Sequence, residues 1–230
     1  MTETVTQAAL TDNRFAAGLR GFGALGLVAI LIILAGGTFL MIPVAAVLIL
    51  LWAWLSKTPL RDLGLVRPKN WLLGLVIGVA AGAALKVLMK AVVMPLLGAP
   101  PVNGAYHYLS HSPMDALEFA TYAIYGAGFS EELVFRGYFF ERFKKAIGSS
   151  AFATLLALIV ITALFGAAHW QQGQAGMINA GITGSILGAA FLLLGRRLYI
   201  PMIAHASFDL TALWMIYFDL ETDISHLVFK

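Results

Sequence analysis

The sequence predicts an all-α fold, a polytopic transmembrane helical bundle of about seven spans, and three observations carry that expectation. Of 230 residues, 60% are hydrophobic and 12% charged, with a mean hydropathy of +0.85, far from the balance of a soluble domain. Apolar stretches of the length that crosses a bilayer, ~20 residues, recur along the chain. The basic residues between them gather in short, alternate loops, which is the charge pattern of membrane topology.

Met1 to Arg20 is polar and lacks the charged start, apolar core and small-residue cleavage site of a signal peptide. It is expected to be a cytoplasmic amino terminus, with the first span as an uncleaved signal. Gly21 to Leu55 is too long for one helix, and Gly36-Gly37-Thr38 in its middle predicts two spans joined by a tight turn. Further spans are expected over Trp71 to Leu97, Ala116 to Phe140, Ser150 to Trp170, Gly176 to Leu194 and Ile200 to Phe218. Residues 21–218 thus form the bundle and 219–230 a short polar tail.

Eleven of the 15 lysines and arginines lie in alternate loops: Arg14 and Arg20; Lys57, Arg61, Arg67 and Lys69; Arg142, Lys144 and Lys145; Arg196 and Arg197. The loop from Gly98 to Pro113 has no lysine or arginine. This predicts a multi-pass protein of the cell (inner) membrane with its amino terminus cytoplasmic and its carboxyl terminus, at Lys230, outside. The net charge of +3 and pI near 9.2 therefore reflect topology and do not point to nucleic acid. The lack of cysteine excludes disulfide and thiolate chemistry.

Against this apolar background, Glu131, Glu132 and Arg136 stand out in Gly128-Phe-Ser-Glu-Glu-Leu-Val-Phe-Arg136-Gly137. An ionised side chain at a bilayer centre costs about 2.5 to 3.5 kcal/mol on insertion scales, so such residues call for partners, water or a use. Glu132 and Arg136 are at i and i+4 and can pair on one helix face. Glu131 is rotated by about 100° from Glu132 and is left without that partner, as a general base would be.

Two further polar sites follow, Phe165-Gly-Ala-Ala-His169 and His205-Ala-Ser-Phe-Asp209. His205 and Asp209, again at i and i+4, can meet so that the carboxylate holds the imidazole, or both can face one atom. A carboxylate and two imidazoles from three helices allow two hydrolytic chemistries. In one, Glu131 or Glu132 with His169 and His205 forms an open zinc site that lowers the pKa of bound water to about 7. In the other no metal is needed: Glu131 deprotonates water, His169 orients it, and His205 with Asp209 stabilises the oxyanion.

The ordered set Glu131-Glu132-x-x-x-Arg136, Phe165-x-x-x-His169 and His205-x-x-x-Asp209 resembles the CPBP intramembrane proteases, the CAAX prenyl endopeptidase and bacteriocin-processing group also called Abi proteins. The resemblance extends over about residues 62–218. It implies an endopeptidase cutting peptide bonds of membrane-associated or prenylated substrates near the cytosolic side of a helical bundle. Glu131 would be the base and His169 would activate water. Glu132 and Arg136 would orient the site, and His205 with Asp209 would hold the oxyanion or complete a metal site. Asp209 departs from the asparagine of many relatives, which could donate to an oxyanion that an ionised carboxylate would repel. The implied cofactor is either Zn2+, held by Glu131, His169 and His205, or none. The implied partners are a peptide or membrane-protein substrate and the lipid bilayer.

Other classes fit the same residues. A proton- or ion-coupled transporter could use the Glu, His and Arg cluster as a relay, although no broken-helix repeat is visible. A non-proteolytic scaffold could keep it for packing. Lys86 and Lys90 read as snorkelling towards the outer interface, with Glu118 the alternative partner. His107 and His111 read as external loop residues, not ligands. Gly181, Gly184, Gly188 and Ala189 read as a close-packing face, with Ser185 an unsupported nucleophile.

Overall fold

A computed structural model describes residues 14–229, so most of the amino-terminal tail and Lys230 lie outside the described residues. The described residues are largely helical, with no strand among them. We number the principal helices α1 (Arg14–Arg20), α2 (Ala24–Leu40), α3 (Ile42–Leu55), α4 (Trp71–Leu96), α5 (113–147), α6 (Ala151–Ala168), α7 (Trp170–Leu193), α8 (Tyr199–Tyr217) and α9 (Glu221–Ser225).

Three of these, α4, α6 and α7, are long and apolar enough to cross a membrane. A fourth span results if α1 and α2, bent by 56° at a short break, count as one. The expectation of about seven therefore exceeds what length and composition alone provide. α3 is short, at 14 residues, while α5 and α8 have the length but carry the charged and imidazole groups of the motifs. The outward surface is apolar, with Leu193 87% and Phe39 82% exposed, which is the inverse of a soluble fold.

The turn expected at Gly36-Gly37-Thr38 lies later. α2 continues to Leu40, and the chain reverses at Met41, whose backbone is extended. The two glycines instead let α3 close in: a Cβ on Gly36 would stand 2.7 Å from a Leu48 methyl, and one on Gly37 3.2 Å from the Ala45 Cβ.

The basic loops collect at one end of the bundle. Leu198 N–H donates to the Gly64 carbonyl at 3.0 Å, and both Arg142 Nη atoms donate to the Arg20 carbonyl at 3.0 Å. A packed core lies in this half, where Trp52 meets Tyr138 edge-on at 5.0 Å and Phe140 meets Phe191 at 5.5 Å. The opposite end consists of loop 97–112, the α6–α7 turn and the segment 218–229. It is tied by Ser110 and His111 to Asp219, and by Lys90 to Glu221.

α4 and α8 run side by side in the same direction, and glycine makes this possible. A Cβ on Gly74 would meet the Tyr199 ring at 2.8 Å, on Gly78 the Ile203 side chain at 2.6 Å, and on Gly82 the Ala204 carbonyl at 2.1 Å. α5 reaches α8 by the same means, since a Cβ on Gly128 would stand 2.8 Å from the Ala206 Cβ.

Candidate active site

The motif residues of α5 sit where that helix widens. Residues Ala123–Glu131 and Leu133–Phe139 are wound with i→i+5 hydrogen bonds in place of i→i+4. Such segments are ordinarily single-turn bulges and are frequent at functional sites. Glu132 sits at the junction of the two segments and Arg136 within the second, and both are buried.

Their network is specific. Arg136 donates from Nη1 to Glu132 Oε1 at 2.8 Å and from Nη2 to the Gly184 carbonyl of α7 at 3.0 Å. Its guanidinium lies over the Phe165 ring of α6, 4.5 Å from the centroid, a placement with cation–π character. The same Glu132 oxygen accepts from His205 Nδ1 of α8 at 2.8 Å. One carboxylate thus joins α5 to α8, and one guanidinium joins α5 to α6 and α7.

That hydrogen bond decides the His205 tautomer, because a carboxylate accepts and Nδ1 must donate. Nε2 is left facing Glu131, 4.0 Å from its Oε2. Glu131 Oε2 itself has no hydrogen-bond partner among the described residues. The sequence left Asp209 either to hold the His205 imidazole or to face one atom together with it; no hydrogen bond joins Asp209 to His205 among the described residues, whereas Glu132 makes one. Glu132 takes that role, since a helix brings i+4 residues near each other but packing decides which partner sits in bonding geometry.

His169 closes α6. Its Nδ1 donates to the Phe165 carbonyl one turn back at 2.8 Å, so its Nε2 carries the free lone pair in the neutral ring. Its imidazole lies 4.8 Å from the Phe165 ring, and that ring lies 5.9 Å from His205. A straight α6 starting level with the other basic-end turns would carry His169 too far. α5 resolves this by running on past Gly137, whose Cα packs on the Leu63 carbonyl, for ten more residues to Ile147. α6 therefore starts beyond the other turns, and Phe165 comes level with Arg136 and His205.

Glu131, His169, His205 and Asp209 all line one cavity of about 270 Å³. Its floor lies among Glu131, Phe165, Thr183 and His205, and it extends to loop residues Asn103, Tyr106 and Gln172 at the end away from the basic loops. Asn179 Oδ1 and Thr183 Oγ1 of α7, on its wall, are buried without hydrogen-bond partners among the described residues. Sequence reading passed over both, because a lone Asn or Thr in a helix is an ordinary residue. It also read Gly184 as packing only, whereas its bare Cα admits Arg136 and its carbonyl binds it.

The structure corrects the reading of the lysines as snorkelling outward. Lys90 is buried and donates to Glu221 Oε1 at 2.7 Å and to the Pro101 carbonyl at 2.5 Å; Glu221, not Glu118, is its partner. Lys86 lines the cavity. His107 and His111 stay in the loop as expected, with His111 bonded to Asp219 at 2.5 Å.

The zinc set offered as one alternative, Glu131 or Glu132 with His169 and His205, does not converge as placed. No group of three His, Asp or Glu side chains close enough to hold a metal occurs among the described residues, so no step below is routed through one.

Residues 113–211 match the family model described as Type II CAAX prenyl endopeptidase Rce1-like. The matched stretch contains every motif residue from Glu131 to Asp209 and agrees with the family resemblance of the motifs. It implies a CAAX-type peptidase, and with the apolar helices a membrane protein. No curated protein and no solved structure matches the chain.

Proposed function

We propose, with the Rce1-like match as premise, that this protein is an intramembrane endopeptidase for prenylated or membrane-associated peptides, and that it works by glutamate-activated water. The observation that carries the reading is the placement of His205 Nε2 4.0 Å from Glu131 Oε2 by the buried Glu132–Arg136 pair, at the floor of a cavity that His169 also lines. A water between Glu131 and His205 would lie within hydrogen-bond reach of both, which is the geometric requirement for a general base.

Glu131 takes a proton from that water as its oxygen attacks the scissile carbonyl carbon. His169, through Nε2, accepts the water's other hydrogen and fixes its direction. The carbonyl oxygen becomes an oxyanion, to which a protonated His205 donates from Nε2 while Glu132 holds Nδ1. Glu131 then returns its proton to the departing amine as the C–N bond breaks. Asp209, an acceptor when ionised, is not the oxyanion donor in this scheme and sets the charge beside His205.

The experiment is cleavage of an S-prenylated peptide by purified protein in detergent. Glu131→Gln is expected to lower kcat by about 10²–10⁴, the usual contribution of a positioned general base, with His169→Ala lower as well. Cleavage that survives both changes would end this assignment.

We further propose that the protein is multi-pass with the basic end cytoplasmic. The cavity then extends towards the far face, whereas the family resemblance implies cleavage near the cytosol. A reporter fused at Lys230 separates the two: an external signal supports the charge-based topology, and a cytoplasmic one turns the cavity towards the cytosol.

A further inference from the structure

Along α4 the residues at every fourth position read Gly74, Gly78, Gly82, Lys86 and Lys90. The first three form the row that packs on α8 at successive levels, against Tyr199, Ile203 and Ala204. The row continues to Lys86, whose Nζ lies 4.7 Å from the centre of the Phe208 ring. Register therefore turns Lys86 into the bundle, one turn nearer the cavity mouth than His205.

The two lysines differ in how they are satisfied. Lys90 is held by Glu221 and the Pro101 carbonyl. Lys86 has the Phe208 ring and the longer-range field of Asp209, but neither a hydrogen bond nor an ion pair to Nζ among the described residues. A cation kept on the wall of a membrane-embedded cavity without an acceptor is a functional feature by default. A lysine ammonium is a mobile point charge with three donors, suited to an anion delivered with the ligand.

We propose that Lys86 binds a carboxylate of the peptide whose scissile bond lies at Glu131. This deepens the proposed function and rests on it. Two or three extended residues cover about 7–10 Å, so a chain that leaves the floor towards the mouth brings a nearby carboxylate to Lys86. That carboxylate is either the chain's own terminus or an acidic side chain. In a cavity that already carries the Glu131 and Asp209 carboxyls, a further carboxylate without a counter-ion is strongly disfavoured, which makes the lysine a determinant of which peptides enter.

The test reads binding on the Glu131→Gln protein, so that cleavage is not required. The probes are one S-prenylated peptide ending three residues after its cysteine, as the free acid, as the C-terminal amide, and as the amide with aspartate at the last position. The free acid is expected to bind at least about tenfold more tightly than the amide. Lys86→Met should remove the difference and Lys86→Arg should retain it. If the aspartate amide binds as well as the free acid, the acidic side chain is an accepted source; if it binds as the plain amide, the terminus alone is read. Acid and amide bound equally by the Lys86-bearing protein would overturn the inference, as would a preference that persists in Lys86→Met. Failure of the unaltered protein to cut any peptide would count against the proposed reaction and leave this binding result standing.

Discussion

Two buried charge networks hold this bundle, and they are built in opposite ways. At the floor, Glu132 and Arg136 are neighbours on one helix and reach outward to α6, α7 and α8. Near the mouth, Lys90 and Glu221 are 131 residues apart and tie α4 to the carboxyl-terminal segment and the loop at Asn103. The floor network lies in packed protein and fixes the direction of one imidazole. The mouth network joins loops that border a cavity. The difference teaches that one kind of interaction, a buried ion pair, serves precision in one place and closure in the other, according to what surrounds it.

Arg136→Met should break the floor most severely. It leaves Glu132, fully buried, without its cation, at a cost of about 3–5 kcal/mol, read as unfolding free energy in detergent, together with loss of cleavage. Adding Glu132→Gln should recover much of the stability but not the cleavage, because a neutral amide cannot balance a protonated His205. Recovery of both would show that the pair serves packing only.

Glu221→Ala should cost less, about 1–3 kcal/mol, because Lys90 keeps the Pro101 carbonyl and lies beside the cavity mouth. Hydrogen exchange is expected to quicken in residues 97–112 and 218–229 while the floor of α5 stays protected. Equal quickening in both places would merge the two networks into one cooperative unit.

The smallest effect belongs to the exposed pair at the rim. The Asp219 carboxyl is held below its ordinary value by the Ser110 hydroxyl first, then by His111. A depressed carboxyl lends stability that is fully present above the unfolded value and is lost as pH falls through the folded one, here below about 4. Ser110→Ala should move that loss upward in pH, measured by titration of the Asp219 carboxyl; an unmoved titration would leave the hydroxyl without influence.

Much of the floor was legible in the sequence because helix spacing fixes neighbours. Glu132 and Arg136 at i and i+4, and the polar intrusions at His169 and His205, all face one cavity or its supporting network. What the sequence could not supply was contact between helices. The choice of Glu132 over Asp209 as the partner of His205 depends on how closely α5 approaches α8 at Gly128. The Lys90–Glu221 pair depends on a chain reversal far along the sequence. The span count was blurred by the site itself, since the groups that equip α5 and α8 for chemistry are those that make them poor candidates by apolarity. The glycine row of α4 was the one readable signal left unused: its period already pointed Lys86 inward.

That row has a practical corollary. Because the contact face of α4 and its two ammonium groups follow a single period of four, adding one residue between Gly82 and Lys86 would swing Lys86 by about 100° to the exposed position of Val87 and draw Lys90 away from Glu221, with the glycine contacts below left in place. The helix can thus be treated as a dial, on which one turn of the shaft removes anion recognition and loosens the closure at the mouth together.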